Sequence, residues 1–168
     1  MSERRPDHLD RIVEQWSRER PDLELSALAV LGRLFRIAHL AGDELGRGLE
    51  GFDLQPGWFD QLAALRRAGD PFELNPTQLM RTTMLSSGGM TKRIDQLAAA
   101  GLVERRPDPT DRRGTLVRLT RRGRRLIDAA IDVHLANERA ILSSLKVADR
   151  RELDSILRKL LASLDASE

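Results

Sequence analysis

The stretch from Asn75 to Thr120 constrains the fold more than any other, because its apolar spacing changes from helical to alternating and back. Asn75-Pro76-Thr77-Gln78 opens a short helix. Asn75 caps it, Pro76 takes the first helical position, where its missing N–H is no loss, and Gln78 reaches back as in a capping box. That helix ends near Met84, and Ser86-Ser87-Gly88-Gly89 makes a tight turn. A second helix with Met90, Ile94, Leu97 and Ala98 on one face runs to Ala100, and Gly101 stops it. Leu102 to Arg106 reads as a strand, residues 107–114 as a polar, proline-rich turn, and Thr115 to Leu119 as the returning strand. Two helices about a tight turn, followed by a charged hairpin, spell a helix-turn-helix with a wing.

The flanks are helical. Leu9, Ile12, Val13 and Trp16 predict an amphipathic helix from about Asp7 to Arg20, which Pro21 stops. A longer helix is expected from Ser26, acting as N-cap, to about Leu49, with Leu28, Leu31, Leu34, Phe35, Ala38 and Leu45 apolar. Gly42, Gly46 and Gly48 weaken its far end. Pro56 opens the next helix, whose inner face is Phe59, Leu62, Ala63 and Leu65 and which Gly69 ends. Thr120 caps a long helix to about Leu145, and a final helix carries Leu153, Ile156, Leu157, Leu160, Leu161 and Leu164. Long apolar helices at both chain ends need a partner layer, either within the chain or, as we favour, in an intertwined homodimer. The expected fold is mainly α with a small β-hairpin wing. N-terminal helices occupy 1–50, a winged helix-turn-helix 51–120, and C-terminal dimerisation helices 121–168.

Charge agrees with a polyanion partner. The net charge is only +2, yet Arg81 to Arg125 holds twelve Lys and Arg against four acids, a segment of +8. A block of like charge is also compatible with a plain solvated face, so position decides. With no cysteine there are no disulfides or thiolate sites, and His8, His39 and His134 lack ligand spacing, so no metal or cofactor is expected. No apolar run approaches the ~20 residues of a membrane helix, and no apolar stretch follows the start, so a cytoplasmic protein is expected. No histidine sits beside a nucleophile in a known pattern, and no glycine-rich phosphate loop is present, so an enzyme is not expected.

In a winged helix-turn-helix the second helix enters the major groove of double-stranded DNA by its N-terminal turns. Those turns hold Ser86, Ser87, Gly88, Gly89, Thr91 and Lys92. Small residues allow close approach, hydroxyls bond phosphates or bases, and Lys92 adds charge. Arg112 and Arg113, at the wing tip beside Asp111, suit a narrow minor groove of negative potential. A ligand-independent or architectural DNA-binding protein would use the same surface with little sequence preference.

Helical geometry singles out one further arginine. With Met90 at zero and about 100° per residue, Arg93 falls beside Leu97 at the edge of the buried face, and Lys92 points the opposite way. An arginine at a core edge needs an anionic partner. Asp60, on the flank of an otherwise apolar helix, is a candidate, and Arg105 on the first wing strand can approach the same place.

These motifs together resemble the MarR family. The resemblance runs through Ser87-Gly88-Gly89-Met90-Thr91-Lys92-Arg93-Ile94, Ala99-Ala100-Gly101-Leu102-Val103-Glu104-Arg105, Asp108-Pro109-Thr110-Asp111-Arg112-Arg113-Gly114, then Val117-Arg118-Leu119-Thr120 and Gly123. It reaches Phe59 to Leu65 upstream and, more loosely, the terminal helices. It implies a homodimer, a palindromic operator, and release by small aromatic or anionic ligands. A subgroup responsive to urate and related purines carries an extra N-terminal helix with a Trp, an Asp in the second core helix, an Arg in the recognition helix and an Arg in the first wing strand. Trp16, Asp60, Arg93 and Arg105 occupy those places. The resemblance thus implies a ligand site for urate, another purine or a phenolic anion. The alternative is a scaffold ion pair between Asp60 and Arg93, with Trp16 as ordinary core.

Overall fold

A computed structural model describes residues 6–55, 57–83, 89–111 and 114–166. Among these, seven α-helices and three strands follow in the order α1 (His8–Glu19), α2 (Ser26–Gly48), α3 (Trp58–Arg67), β1 (Glu73–Leu74), α4 (Pro76–Thr82), α5 (Met90–Ala99), β2 (Val103–Pro107), β3 (Thr115–Leu119), α6 (Arg121–Ile141) and α7 (Val147–Asp165). Short 3-10 turns occupy Glu50–Phe52 and Leu142–Ser144. The chain divides into two units, residues 1–47 and residues 48–168. Within the second unit α6 packs on α3 and β3, and its Ile127 and Ala130 are buried.

In the first unit α1 opens with a capping box: Asp7 accepts from the Asp10 N–H at 2.9 Å, and Asp10 accepts from the Asp7 N–H at 2.8 Å. Both carboxylates also receive the Arg33 guanidinium from α2, at 2.7 Å for Asp7, which ties the two helices together. Ser26 is the first residue of α2, not its cap, and its N–H instead donates to Glu24 at 2.8 Å. No residue of α2 is buried.

The second unit holds the core, where Leu62, Leu65, Leu79, Ile94, Leu97, Val117 and Ile127 are fully enclosed. Pro56 lies outside the described residues, and α3 starts two residues later at Trp58, behind Gly57 in the left-handed region (φ 81°). Gly69 (φ 78°) follows its end, as expected of a helix stop. The sequence reading missed β1. Its two residues pair with Arg118 and Val117 of β3, giving an antiparallel sheet of order β1-β3-β2. The wing itself is a ladder from Val103↔Leu119 to Pro107↔Thr115. The Arg66 and Arg124 guanidiniums each lie over the ring of Phe72, before β1, at 5.0 and 4.4 Å from its centre, and Asp128 accepts from Arg66 at 2.6 Å. That cluster fastens α3 to the start of α6. α6 ends at Ile141, earlier than Leu145, in the second 3-10 turn, and no residue of α7 is buried.

Candidate nucleic-acid interface

The helix-turn-helix starts as its sequence dictates. Asn75 Oδ1 accepts from the Gln78 N–H at 2.8 Å, and the Asn75 N–H donates to Gln78 Oε1 at 3.0 Å. Leu79 then anchors α4 in the core. Ser86, Ser87 and Gly88 of the turn lie outside the described residues, as do Arg112 and Arg113 of the wing. Gly89 (φ 83°) precedes α5 as its N-cap, a conformation that side chains with a Cβ avoid.

On α5, Met90, Ile94 and Leu97 are buried, Arg93 is half-buried, and Thr91 and Lys92 are exposed. The inward stripe fixes the helix's rotation, so Thr91 and Lys92 lie in the first turn on the solvent side. Gln61 of α3, wholly buried, donates from Nε2 to the Met90 sulfur at 3.3 Å and ties the start of α5 to α3. At the other end, the Leu102 N–H donates to Leu97 O at 3.0 Å and the Gly101 N–H to Ala98 O at 2.9 Å, a Schellman motif about Gly101 (φ 68°).

The carbonyls leaving α5 are held by the start of α6. The Thr120 hydroxyl donates to Gly101 O at 2.8 Å, the Thr120 N–H to Leu102 O at 3.1 Å, and Arg122 to Ala100 O at 3.0 Å. Thr120 Oγ1 also accepts from the Gly123 N–H at 3.0 Å as the N-cap of α6. This clamp escaped the sequence reading, since nothing in the spacing of Thr120-Arg121-Arg122-Gly123 shows which carbonyls it meets.

The wing turn is pinned by Asp108, whose carboxylate accepts from the Thr110 N–H at 2.8 Å and the Thr110 hydroxyl at 2.7 Å. The Thr110 hydroxyl, foremost, holds the Asp108 pKa below the usual carboxylate range. The Gly114 N–H closes the turn on Asp111 O at 2.8 Å.

The other sequence-selected residues are only partly brought together. Asp60 and Arg93 are both half-buried within the second unit, yet among the described residues no ion pair joins Asp60 to Arg93 or Arg105. Arg105 donates to Asp95 on the outer face of α5 at 2.6 Å, so the wing strand is tied to the recognition helix. Trp16 belongs to the first unit, on α1, with its side chain exposed. Among the described residues no cluster of His, Cys, Asp and Glu could hold a metal ion, and no helix is long and apolar enough to cross a membrane.

A sheet-backed helix-turn-helix whose second helix turns a cation outward defines a winged-helix DNA-binding protein, and comparison with known proteins gives the family. The MarR family model matches residues 52–114. The chain is 36% identical over 149 residues to the HTH-type transcriptional regulator PecS of Dickeya dadantii, covering 89% of this chain and 90% of that protein. It therefore belongs to the MarR family of transcriptional regulators. Among solved structures it is similar to a mutant of Escherichia coli MarR complexed with operator DNA (25% identity, TM-score 0.71, 83% of this chain and 99% of that one). It is also similar to Bordetella bronchiseptica BpsR, whose DNA binding is regulated by 6-hydroxynicotinic acid (25% identity, TM-score 0.70, 78% and 91%).

Proposed function

We propose that this chain is a homodimeric repressor that binds a palindromic operator and leaves it when an anionic purine, urate first, binds near Trp16, Asp60, Arg93 and Arg105. Each protomer would place α5 in a major groove, with Ser86, Ser87, Gly88, Thr91 and Lys92 toward the DNA and Arg112 and Arg113 in the adjacent minor groove. The observation that carries the DNA reading is the rotation of α5, with Met90, Ile94 and Leu97 inward and Thr91 and Lys92 outward. Homodimers are typical of the family, and the unburied helices α2 and α7 supply apolar surface for one.

The ligand reading rests on Arg93, half-buried one residue from Lys92 on the same helix. Urate is planar and negatively charged at neutral pH, so a guanidinium bonds it in fork geometry and an indole stacks on it. Drawing Arg93 to a ligand disturbs the turn that docks on DNA. Urate must bind the DNA-incompetent state more tightly, since equal affinity for both shifts nothing. A coupling of about 1–3 kcal/mol weakens operator binding five-fold or more.

Calorimetry with urate, xanthine and salicylate on the wild type, Arg93→Ala and Asp60→Ala tests the assignment. Urate should bind the wild type and lose affinity in both variants. If none of the three ligands binds the wild type, or both variants bind as well, Asp60 and Arg93 are scaffold and the regulator works without this ligand.

A further inference from the structure

Arg105 and Asp95 form a tie across the angle between the wing and the recognition helix. Arg105 stands midway along the wing ladder, opposite Val117, and its Nη2 donates to Asp95 Oδ1 at 2.6 Å. Asp95 is the one acid of α5, and it is exposed. With Met90 at zero and about 100° per residue, Asp95 falls at about 140°, between Thr91 at about 100° and Lys92 at about 200°. A carboxylate therefore shares the outward face with the two residues proposed to meet DNA.

Neither charge nor stability accounts for it there. Beside phosphates a carboxylate repels, so by itself Asp95 opposes binding. The two side chains are 39% and 62% exposed, and such a pair adds little to stability, because water screens it and two side chains must be held still. What the pair fixes is direction. β1 pairs with β3 at Arg118 and Val117 only, so the wing beyond Val117, with Arg106 opposite Leu116 and Pro107 opposite Thr115, is two strands wide. A two-stranded hairpin has little rigidity of its own. The tie from Asp95 braces the wing at the level where the third strand ends. A winged helix needs that brace, since its helix and its wing must reach neighbouring grooves at the same time.

We propose that Asp95 is a positioning residue for operator recognition: through Arg105 it holds the wing at the angle at which wing and recognition helix engage one operator together. Its effect then lies in telling the operator from other DNA. The proposal rests on α5 being the DNA-reading helix and not on the urate assignment.

A duplex enriched from a random-sequence library by the wild type supplies the specific probe, and poly(dI-dC) the non-specific one. Asp95→Ala removes a negative charge beside DNA, so charge acting alone would tighten binding to both probes. The tie predicts that Asp95→Ala binds the enriched duplex at least five-fold more weakly than the wild type does, and poly(dI-dC) no more weakly. Asp95→Asn, which keeps the size and loses the charge, should behave alike. Arg105→Ala should also lower the ratio of the two affinities. The double variant should lower it no further than Arg105→Ala alone, since both changes break one tie. Urea midpoints should stay at the wild-type value. A ratio that Asp95→Ala leaves unchanged or raises, losses that add in the double variant, or a midpoint that falls with the ratio overturns the proposal. Lys92→Ala separates this failure from failure of the wider reading. If Lys92→Ala weakens binding to the enriched duplex and Asp95→Ala does not, the tie alone is wrong. If Lys92→Ala changes nothing, or the wild type enriches no sequence, α5 does not read DNA and the proposal falls with that reading.

Discussion

A Cβ on Gly123 would lie 2.0 Å from the Leu102 carbonyl oxygen, so this position in α6 admits no side chain unless backbone moves. Gly123→Ala is expected to destabilise the fold by about 1–3 kcal/mol, the usual cost of overpacking, read as a lower urea midpoint. A midpoint equal to wild type would mean that α6 can slide away from the exit of α5 at no cost. Thr120→Ala removes the N-cap of α6 and the hydroxyl bond to Gly101 O, and should cost about 1 kcal/mol. Because Thr120 and Gly123 share one clamp, the two changes should not add. At the surface, Lys92→Ala should weaken operator binding about equally across sequences and reduce the salt slope by about one, the behaviour of a phosphate contact. Gel shifts at several salt concentrations measure both, and an unchanged slope would take Lys92 off the DNA. The half-buried positions of Asp60 and Arg93 and the exposure of Lys92 were legible from residue type and helical angle alone. That Arg105 meets Asp95 was not, because a side chain's reach into a neighbouring element depends on how the elements pack.

Between elements, the tie joining α1 to α2 is electrostatic and therefore depends on pH. The hydrogen bond from Arg33, before any other cause, lowers the Asp7 pKa from 3.8 to about 2. A carboxylate with a depressed folded pKa stabilises the fold fully above its ordinary pKa and loses that contribution as pH falls through the folded value. The tie should therefore be intact at neutral pH and fail on acidification from about pH 4 to pH 2. Trp16 sits on α1, so in a Trp58→Phe protein, where it is the sole tryptophan, its emission followed through an acid titration reports the failure, and Asp7→Asn in that background should already show the displaced signal at pH 7. An emission unchanged in that protein down to pH 2 would show that α1 is held by something other than Arg33. The recognition helix depends on backbone geometry instead. Gly89 sits at φ 83°, so Gly89→Ala should cost about 1–2 kcal/mol through strain alone. Elements with strong punctuation were legible almost to the residue: the Asn75 box, the Gly101 stop and the Thr120 cap each act through neighbours a few positions away. The two-residue strand β1 was not, since its only signal is a partner in β3.

Over the chain as a whole, two long helices, α2 and α7, have no buried residue of their own. Phe35 of α2 is 70% exposed and Leu161 of α7 is 59% exposed, although both lie on apolar stripes. Such stripes left in water cost roughly 25 cal/mol per Å² of apolar area, so a second copy of the chain is the expected cover. Sedimentation should find a dimer at micromolar concentration, and truncation after Leu145, which deletes α7, should unfold the chain or abolish operator binding. A stable wild-type monomer at that concentration would sink the dimer.

Local pattern was enough to set the order and type of the helices and the wing, the inward stripe of α5, the outward position of Lys92, and the resemblance to MarR regulators. Those features are written in periodicity, caps and glycines, whose physics reaches no further than a turn or two. Packing settled the rest: that Arg105 meets Asp95, that the start of α6 grips the carbonyls leaving α5, and that Trp58, Arg122 and Arg125 line one cleft. Each of these joins residues on different elements, and such contacts are set by how the helices lie against the sheet, which no local pattern records.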